Sequence, residues 1–151
     1  MKPGSIWYNE LGSTMTISDV DYSTASFTGV YNSGVGHAEG DYELKGRFDP
    51  DGSSLGWVVS YQNSYKKAHS TASWCGQIQV IPEEFKSQKS PRILTTYLLT
   101  TTVNTKTKEP NQVWESTKVG SNKFTQEPPD EETKKIAQLR SKDRHSNEAN
   151  P

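Results

Sequence analysis

An all-β fold is what this 151-residue chain predicts: an eight-stranded antiparallel up-and-down β-barrel over residues 5–126, followed by a tail. Three observations lead there. Short runs rich in Thr, Val, Ile, Tyr, Phe and Trp recur along the chain, each set off by Gly, Pro, Asn, Asp or Ser. Within the runs, apolar residues alternate with polar ones, the mark of an antiparallel sheet with one wet face. No helical periodicity separates the runs, and closing the sheet on itself removes its edges.

The strands are taken in order. Ser5–Asn9 carries Ile6, Trp7 and Tyr8, and Thr14–Ser18 follows a Gly-bearing turn. Ser26–Asn32 is rich in Phe, Thr, Val and Tyr. In Asp41–Phe48, Tyr42, Leu44, Gly46 and Phe48 share one face and Glu43, Lys45 and Arg47 the other. Asp49-Pro50-Asp51-Gly52 then reads as a turn, with Pro presetting φ and Gly tolerating positive φ. Ser54–Gln62 places Trp57, Val59 and Tyr61 on one face, and Lys67–Gln79 follows it. Arg92–Val103 aligns Ile93, Thr95, Tyr97 and Leu99, and Val113–Gln126 closes the set. The segments 82–91 and 104–111 read as exposed loops. From Glu127 the only bulky apolar residues are Ile136 and Leu139. Residues 127–151 cannot bury enough surface to offset their ordering entropy, so a disordered or weakly helical tail is expected.

Composition narrows the function. Hydrophobic residues make up 30% and aromatics 10%, with a mean hydropathy of −0.85, so the apolar surface is concentrated in rings. Seventeen basic and 18 acidic residues give a net charge of −1, which supplies no field for nucleic acid or an anionic membrane. No apolar run approaches the ~20 residues of a membrane span. The start, MKPGSIWYNELG, has no signal-peptide core, which fits an intracellular chain or a mature one with Met1 added. Cys75 is the only cysteine, so no intramolecular disulfide forms. No Asn-x-Ser/Thr glycosylation sequon occurs.

The densest signal is Gly56–Gly76, with two Trp, two Tyr and many small hydroxyl residues on adjacent strands. That mixture suits a pocket wall, where flat apolar surface holds a ligand and hydroxyls orient it. Four blocks carry the pattern. They are Trp7-Tyr8-Asn9-Glu10-Leu11-Gly12-Ser13-Thr14, Tyr31-Asn32-Ser33-Gly34-Val35-Gly36-His37-Ala38-Glu39, Ala68-His69-Ser70-Thr71-Ala72-Ser73-Trp74-Cys75-Gly76, and Trp114 to Thr125. Together they resemble the avidin and streptavidin family of biotin-binding proteins, more closely its bacterial and fungal branch, over about Ser5 to Thr125.

The resemblance implies non-catalytic, high-affinity binding of biotin, with no cofactor and no metal. It implies that Asn9, Ser13 and Tyr31 donate to the ureido oxygen, while Ser33 and Asn122 accept from the ureido N–H groups. Tyr61, Trp74 and Tyr97 would box the bicyclic ring. Trp114 would reach a neighbouring subunit's pocket, which implies a homotetramer. The loop Ser33–Glu39 would close over the valerate chain, with Ser70 and the backbone near His37 meeting its carboxylate. Leu11, Val35, Gly36, Ala68, Ala72 and Leu99 complete the implied site. The family also implies a secreted protein. Four departures stand out: Tyr61 and Tyr97 where Trp is usual, Ala72 where Thr is usual, Asn122 in place of the bacterial-type Asp, and His37 in place of a common Asn. The tyrosines and Ala72 predict weaker binding or faster release than a complete tryptophan box allows.

The same residues also admit plainer readings. Trp57 reads as barrel core. Asn9, Ser13 and Ser33 taken singly would be turn residues bonding local backbone. His37 and His69 lack a third ligand for zinc, and His69 reads as a hydrogen-bonded structural residue. Cys75 should point away from the Trp74 face as a small packed residue. Arg47-Phe48-Asp49 reads as charges flanking an inward Phe. Two other functions compete with biotin binding. A lipocalin-like carrier of another small, partly apolar ligand predicts an aliphatic lining. An enzyme predicts an assembled Ser-His-acid set or carboxylate pair, and the sequence offers none.

Overall fold

The computed structural model describes residues 1–35, 40–62, 69–80, 91–101 and 116–146. Its elements are β1 (Ile6–Asn9), β2 (Thr14–Asp21), β3 (Ser26–Asn32), β4 (Asp41–Phe48), β5 (Ser54–Gln62), β6 (His69–Gln79), β7 (Arg92–Thr101), β8 (Thr117–Thr125) and α1 (Glu131–Ser146). Each strand pairs with the next, and β8 returns to β1 through Tyr8↔Thr125 and Asn9↔Phe124, closing the expected antiparallel barrel. Strands β3, β4 and β5 have the bounds read from the sequence. The expected starts at Lys67 and Val113, the expected end at Val103, and most of the two expected loops lie outside the described residues.

Register explains how the alternation builds an interior. Trp57, Trp74, Tyr97 and Gly120 stand directly opposite one another across β5 to β8, so they share the inner face. One step towards the β5–β6 loop, Val59, Ala72 and Leu99 form the next inward row. Tyr61 and Ser70 form the row beyond. The opposite part of the barrel is plugged by Trp7, Met15, Ile17, Phe27, Leu44 and Phe124, all buried. Trp57 belongs to this plug, its ring edge-on to Phe124 at 5.4 Å. The indole N–H groups of Trp7 and Trp57 have no hydrogen-bond partner among the described residues. Each costs roughly 1–3 kcal/mol, which the large apolar area of an indole offsets.

Two elements differ from the sequence reading. Strand β2 continues to Asp21 rather than ending at Ser18, because a bulge between Ile17 and Asp19 breaks the alternation without breaking the pairing with β3. Gly52 does not take positive φ. A Cβ there would lie 2.3 Å from Asp49 Oδ2, so the glycine makes room for the carboxylate that accepts Asp51 N–H at 3.1 Å.

Of the two alternatives for 127–151, the helical one describes Glu131–Ser146. Pro128-Pro129 precede it, and Asp130 caps it by accepting Thr133 N–H at 2.7 Å and the Thr133 hydroxyl at 3.0 Å. These bonds hold the Asp130 carboxyl below its ordinary pKa. Glu131 and Glu132 in the first turn complement the helix dipole. The helix meets the barrel at the β1–β2 turn. Gln138 donates to Leu11 O at 3.3 Å, and the Lys134 stem lies over Gly12. Residues 147–151 lie outside the described residues.

Candidate functional site

The site begins at the β1–β2 turn. Asn9 Oδ1 accepts Leu11 N–H at 3.1 Å and Ser13 N–H at 2.8 Å. Gly12 permits the turn by adopting φ +87°. Both bonds use the carbonyl oxygen, so the amide is oriented and Nδ2 is its donor end. Ser13 is buried; its Oγ accepts Gly34 N–H at 3.1 Å and lies near the Tyr31 hydroxyl. A Cβ on Gly34 would lie 2.6 Å from the Gly12 carbonyl carbon. The start of the β3–β4 loop therefore rests backbone to backbone on the β1–β2 turn.

Tyr31 leads into an aromatic cluster. Burial pushes its hydroxyl far above its ordinary pKa, with a further push from the Glu10 charge, so it stays protonated and able to donate. Its ring lies 5.0 Å from Trp74 and 6.4 Å, edge-on, from Tyr61. Tyr61 in turn meets Tyr42 edge-on at 4.9 Å, and Trp74 meets Tyr97 at 6.0 Å. Burial raises the Tyr61 hydroxyl as well, and the neighbouring tyrosines add to the rise. Trp74 is backed by Trp57, stacked at 5.6 Å and 12°. The plug thus holds the indole that the upper cavity presents.

Acceptors sit at two further points. The Ser33 hydroxyl donates to Val35 O at 2.8 Å and accepts Val35 N–H at 3.5 Å, which leaves one lone pair of its oxygen as an acceptor. Asn122 is buried on β8, and its Oδ1 accepts the Trp74 indole N–H at 3.0 Å. Its Nδ2 donates to Glu10 Oε1 at 3.0 Å. Thr95 Oγ1 donates to the Asn122 backbone carbonyl at 3.1 Å. These contacts bring Asn9, Ser13, Tyr31, Trp74 and Asn122 into one connected constellation.

The remaining expected residues are placed as follows. Leu11, Val35, Ser70, Tyr97 and Leu99 are half-buried, and Ala72 is buried opposite Leu99. Gly36, His37, Ala68 and Trp114 lie outside the described residues. His69 is exposed at the start of β6. Cys75 does point away from the Trp74 face, but it is exposed on the outer wall rather than packed. Arg47 and Asp49 are exposed around a half-buried Phe48. No group of three His, Cys, Asp or Glu residues suited to a metal ion occurs among the described residues. Among them no helix is long and apolar enough to cross a membrane. A shallow groove lies on the outer wall, with Thr28, Lys45, Arg47, Val58, Ser73 and Trp74 among its lining residues.

Sequence reasoning passed over two residues. Tyr42 joins the aromatic cluster, as its shared face with Leu44 on β4 could have signalled. Glu10 lies within the first block, but only the closing of β8 against β1 brings it to Asn122.

The chain matches known proteins in family and fold. A model of the Avidin family matches residues 1–127. The chain is also similar to a solved structure, the biotin binding protein from chicken, at 30% sequence identity and a TM-score of 0.65. That alignment covers 82% of this chain and 94% of the chicken protein.

Proposed function

Because the chain belongs to the avidin family, we propose that it is a non-enzymatic protein that binds biotin non-covalently within the barrel. The observation that carries the reading is the connected set Asn9–Ser13–Tyr31–Trp74–Asn122. At one end it offers oriented donors, the Asn9 Nδ2 group and the Tyr31 and Ser13 hydroxyls. At the other it offers acceptors, Ser33 Oγ and Asn122 Oδ1. A cyclic urea needs both: its carbonyl oxygen takes donors and its two N–H groups take acceptors. Bonds to preorganised groups in a dry site are stronger than the same bonds in water. Tyr61, Trp74 and Tyr97 supply flat surface for the fused ring. Beside the aliphatic row of Val59, Ala72 and Leu99, the lining is mainly aromatic and polar, which favours biotin over the lipid-type cargo of a lipocalin-like carrier.

The tetramer is part of the proposal. Val58, Ser73, Leu98 and Val119 form one row straight across the outer wall of β5 to β8. Val58, Leu98 and Val119 are exposed, Val119 at 69%. The next row, Ser60, Thr71, Thr100 and Thr117, is also uncharged. The outer wall of β4, by contrast, presents Glu43, Lys45 and Arg47. An uncharged, partly apolar wall on one side supports self-association through that side. Trp114 would then reach a neighbouring subunit's site, and export from the cell is the location that family membership supports.

A titration with biotin followed by tryptophan fluorescence tests the ligand. Saturating biotin should also raise the melting temperature, since a tight ligand stabilises the folded state by mass action. No fluorescence change together with no thermal shift would refute biotin as the ligand. Light scattering of Val119→Lys beside the native protein tests the interface: the variant should fall to a smaller species.

A further inference from the structure

We propose that Glu10 is a positioning residue for the ligand, fixing the Asn122 amide so that its oxygen and not its NH2 faces the pocket, and lending that oxygen a share of its charge. The proposal rests on the biotin reading above. An Asn side chain can present either end to a ligand, and a ureido N–H can be met only by the carbonyl end. Two partners remove the ambiguity. Trp74 Nε1 can only donate, and it lies 3.0 Å from Oδ1. A Glu10 carboxylate can only accept, and its Oε1 lies 3.0 Å from Nδ2. A rotated amide would set donor against donor and acceptor against acceptor.

The carboxylate is itself anchored. Glu10 Oε2 accepts Lys123 N–H at 2.9 Å, so the side chain spans from the β1–β2 turn to the backbone of β8. Both of its oxygens are engaged, one on Asn122 and one on the next residue. An anion bonded to the NH2 end of an amide polarises it and makes the carbonyl oxygen a stronger acceptor. The negative charge that the bacterial-type Asp would bring to the ligand directly is here set one residue behind a neutral amide.

The test is a charge exchange between the two positions. In E10Q one end of the new amide must face either Asn122 Nδ2 or Lys123 N–H with a donor, so biotin release should speed up roughly tenfold or more. In N122D two carboxylates face each other across one hydrogen-bond length, and release should again speed up roughly tenfold or more. In E10Q/N122D the introduced amide can accept Lys123 N–H through its oxygen and donate through its NH2 to the introduced carboxylate. That carboxylate can still accept from Trp74. The double variant should release biotin within about threefold of the native rate, a non-additivity that independent damage at two sites does not produce. Release is timed by competition with excess unlabelled biotin, and each apo protein is melted to confirm its fold. Rescue by the double variant supports the role, even where a single variant is too unstable to assay. An N122D protein that releases at the native rate overturns it, as does a double variant that is unfolded or releases as fast as the worse single one. Native protein that fails to bind biotin overturns the ligand reading and the proposal with it. Native binding without rescue overturns the Glu10 role alone.

Discussion

A methyl group added at Gly120 should act on the ligand site while leaving the barrel folded. Gly120 faces inward on β8, directly opposite Tyr97 on β7. A Cβ built there would lie 2.4 Å from both Cζ and Oη of Tyr97 and 2.6 Å from Cε1. Ordinary contact begins near 3.4 Å, so the phenol must move by about 1 Å (3.4 less 2.4). β8 blocks one side, and the cross-strand neighbour on the other side is Trp74, 6.0 Å away. The ring therefore moves into the space meant for ligand. The strained atoms are the end of one half-buried side chain, so the apo protein should lose little stability. Overpacking of a fitted site costs roughly 1–3 kcal/mol, which here falls on the complex and corresponds to about 5- to 150-fold in affinity. Dissociation of biotin from Gly120→Ala, timed by competition, should be faster by a factor in that range, with the apo melting temperature within a few degrees of native. Unchanged release would show that Tyr97 does not line the site. A collapse of apo stability would show that Gly120 serves the fold rather than the ligand.

Four further outcomes are expected. Tyr31→Phe removes a buried hydroxyl near Ser13 and should weaken biotin binding by roughly 1–3 kcal/mol, read by titration; native-like affinity would remove Tyr31 from the ureido end. A chain ending at Gln126 loses the 3.3 Å bond to Leu11 O, the exposed Thr125 Oγ1 bond to Glu127 O and the cover over Gly12. At roughly 1 kcal/mol or less its melting temperature should drop by no more than about 2–4 °C, and a larger drop would make α1 integral to the barrel. Ala25 holds φ 52° at the β2–β3 turn, so Ala25→Gly should raise stability by up to about 1 kcal/mol in urea denaturation, and destabilisation would contradict the strain. Ser23 and Thr24 hold Asp21 at about 2 against an ordinary 3.8. A depressed carboxyl stabilises the fold above its unfolded pKa and loses that effect as pH falls through the folded value. Asp21→Asn should therefore flatten stability only between about pH 4 and pH 2, and the same slope in both proteins would refute the assignment.

Much of the fold was legible because strand alternation and turn residues agree. In β3, β4 and β5 the apolar face, the polar face and the flanking Gly, Asn or Pro all mark the same boundaries. Legibility failed where one signal hid another. The bulge at Ser18 shifts the pattern by one residue, so the alternation seems to end there although Asp19, Val20 and Asp21 stay paired with β3. Composition alone left 127–151 between disorder and weak helix, while Pro128-Pro129-Asp130 with Thr133 three residues after the cap carried a helix start that no apolar stripe announced. In the site, Asn9, Ser13, Tyr31, Ser33, Trp74 and Asn122 were legible as a set because they fall together in four blocks. Glu10 was not, since its role depends on a pairing 112 residues away in sequence.

That difference bears on how the site works. The residues proposed to face the ligand do not choose their own hydrogen-bonding sense. Asn9 presents NH2 because the β1–β2 turn consumes its oxygen. Ser33 presents a lone pair because Val35 O takes its proton. Tyr31 keeps its proton because it is buried and within reach of the Glu10 charge, which together outweigh the opposing effect of Ser13. Asn122 presents oxygen because Glu10 holds its other end. Each orientation is set by a group behind the cavity wall, so a donor end and an acceptor end are in place before any ligand arrives, and little ordering remains to be done on binding. The tyrosines of the cluster follow a different rule, since their rings are placed by neighbours such as Gly120 and Trp74. Changes behind the wall, at Glu10 or Gly120, should therefore alter ligand release as strongly as changes on it.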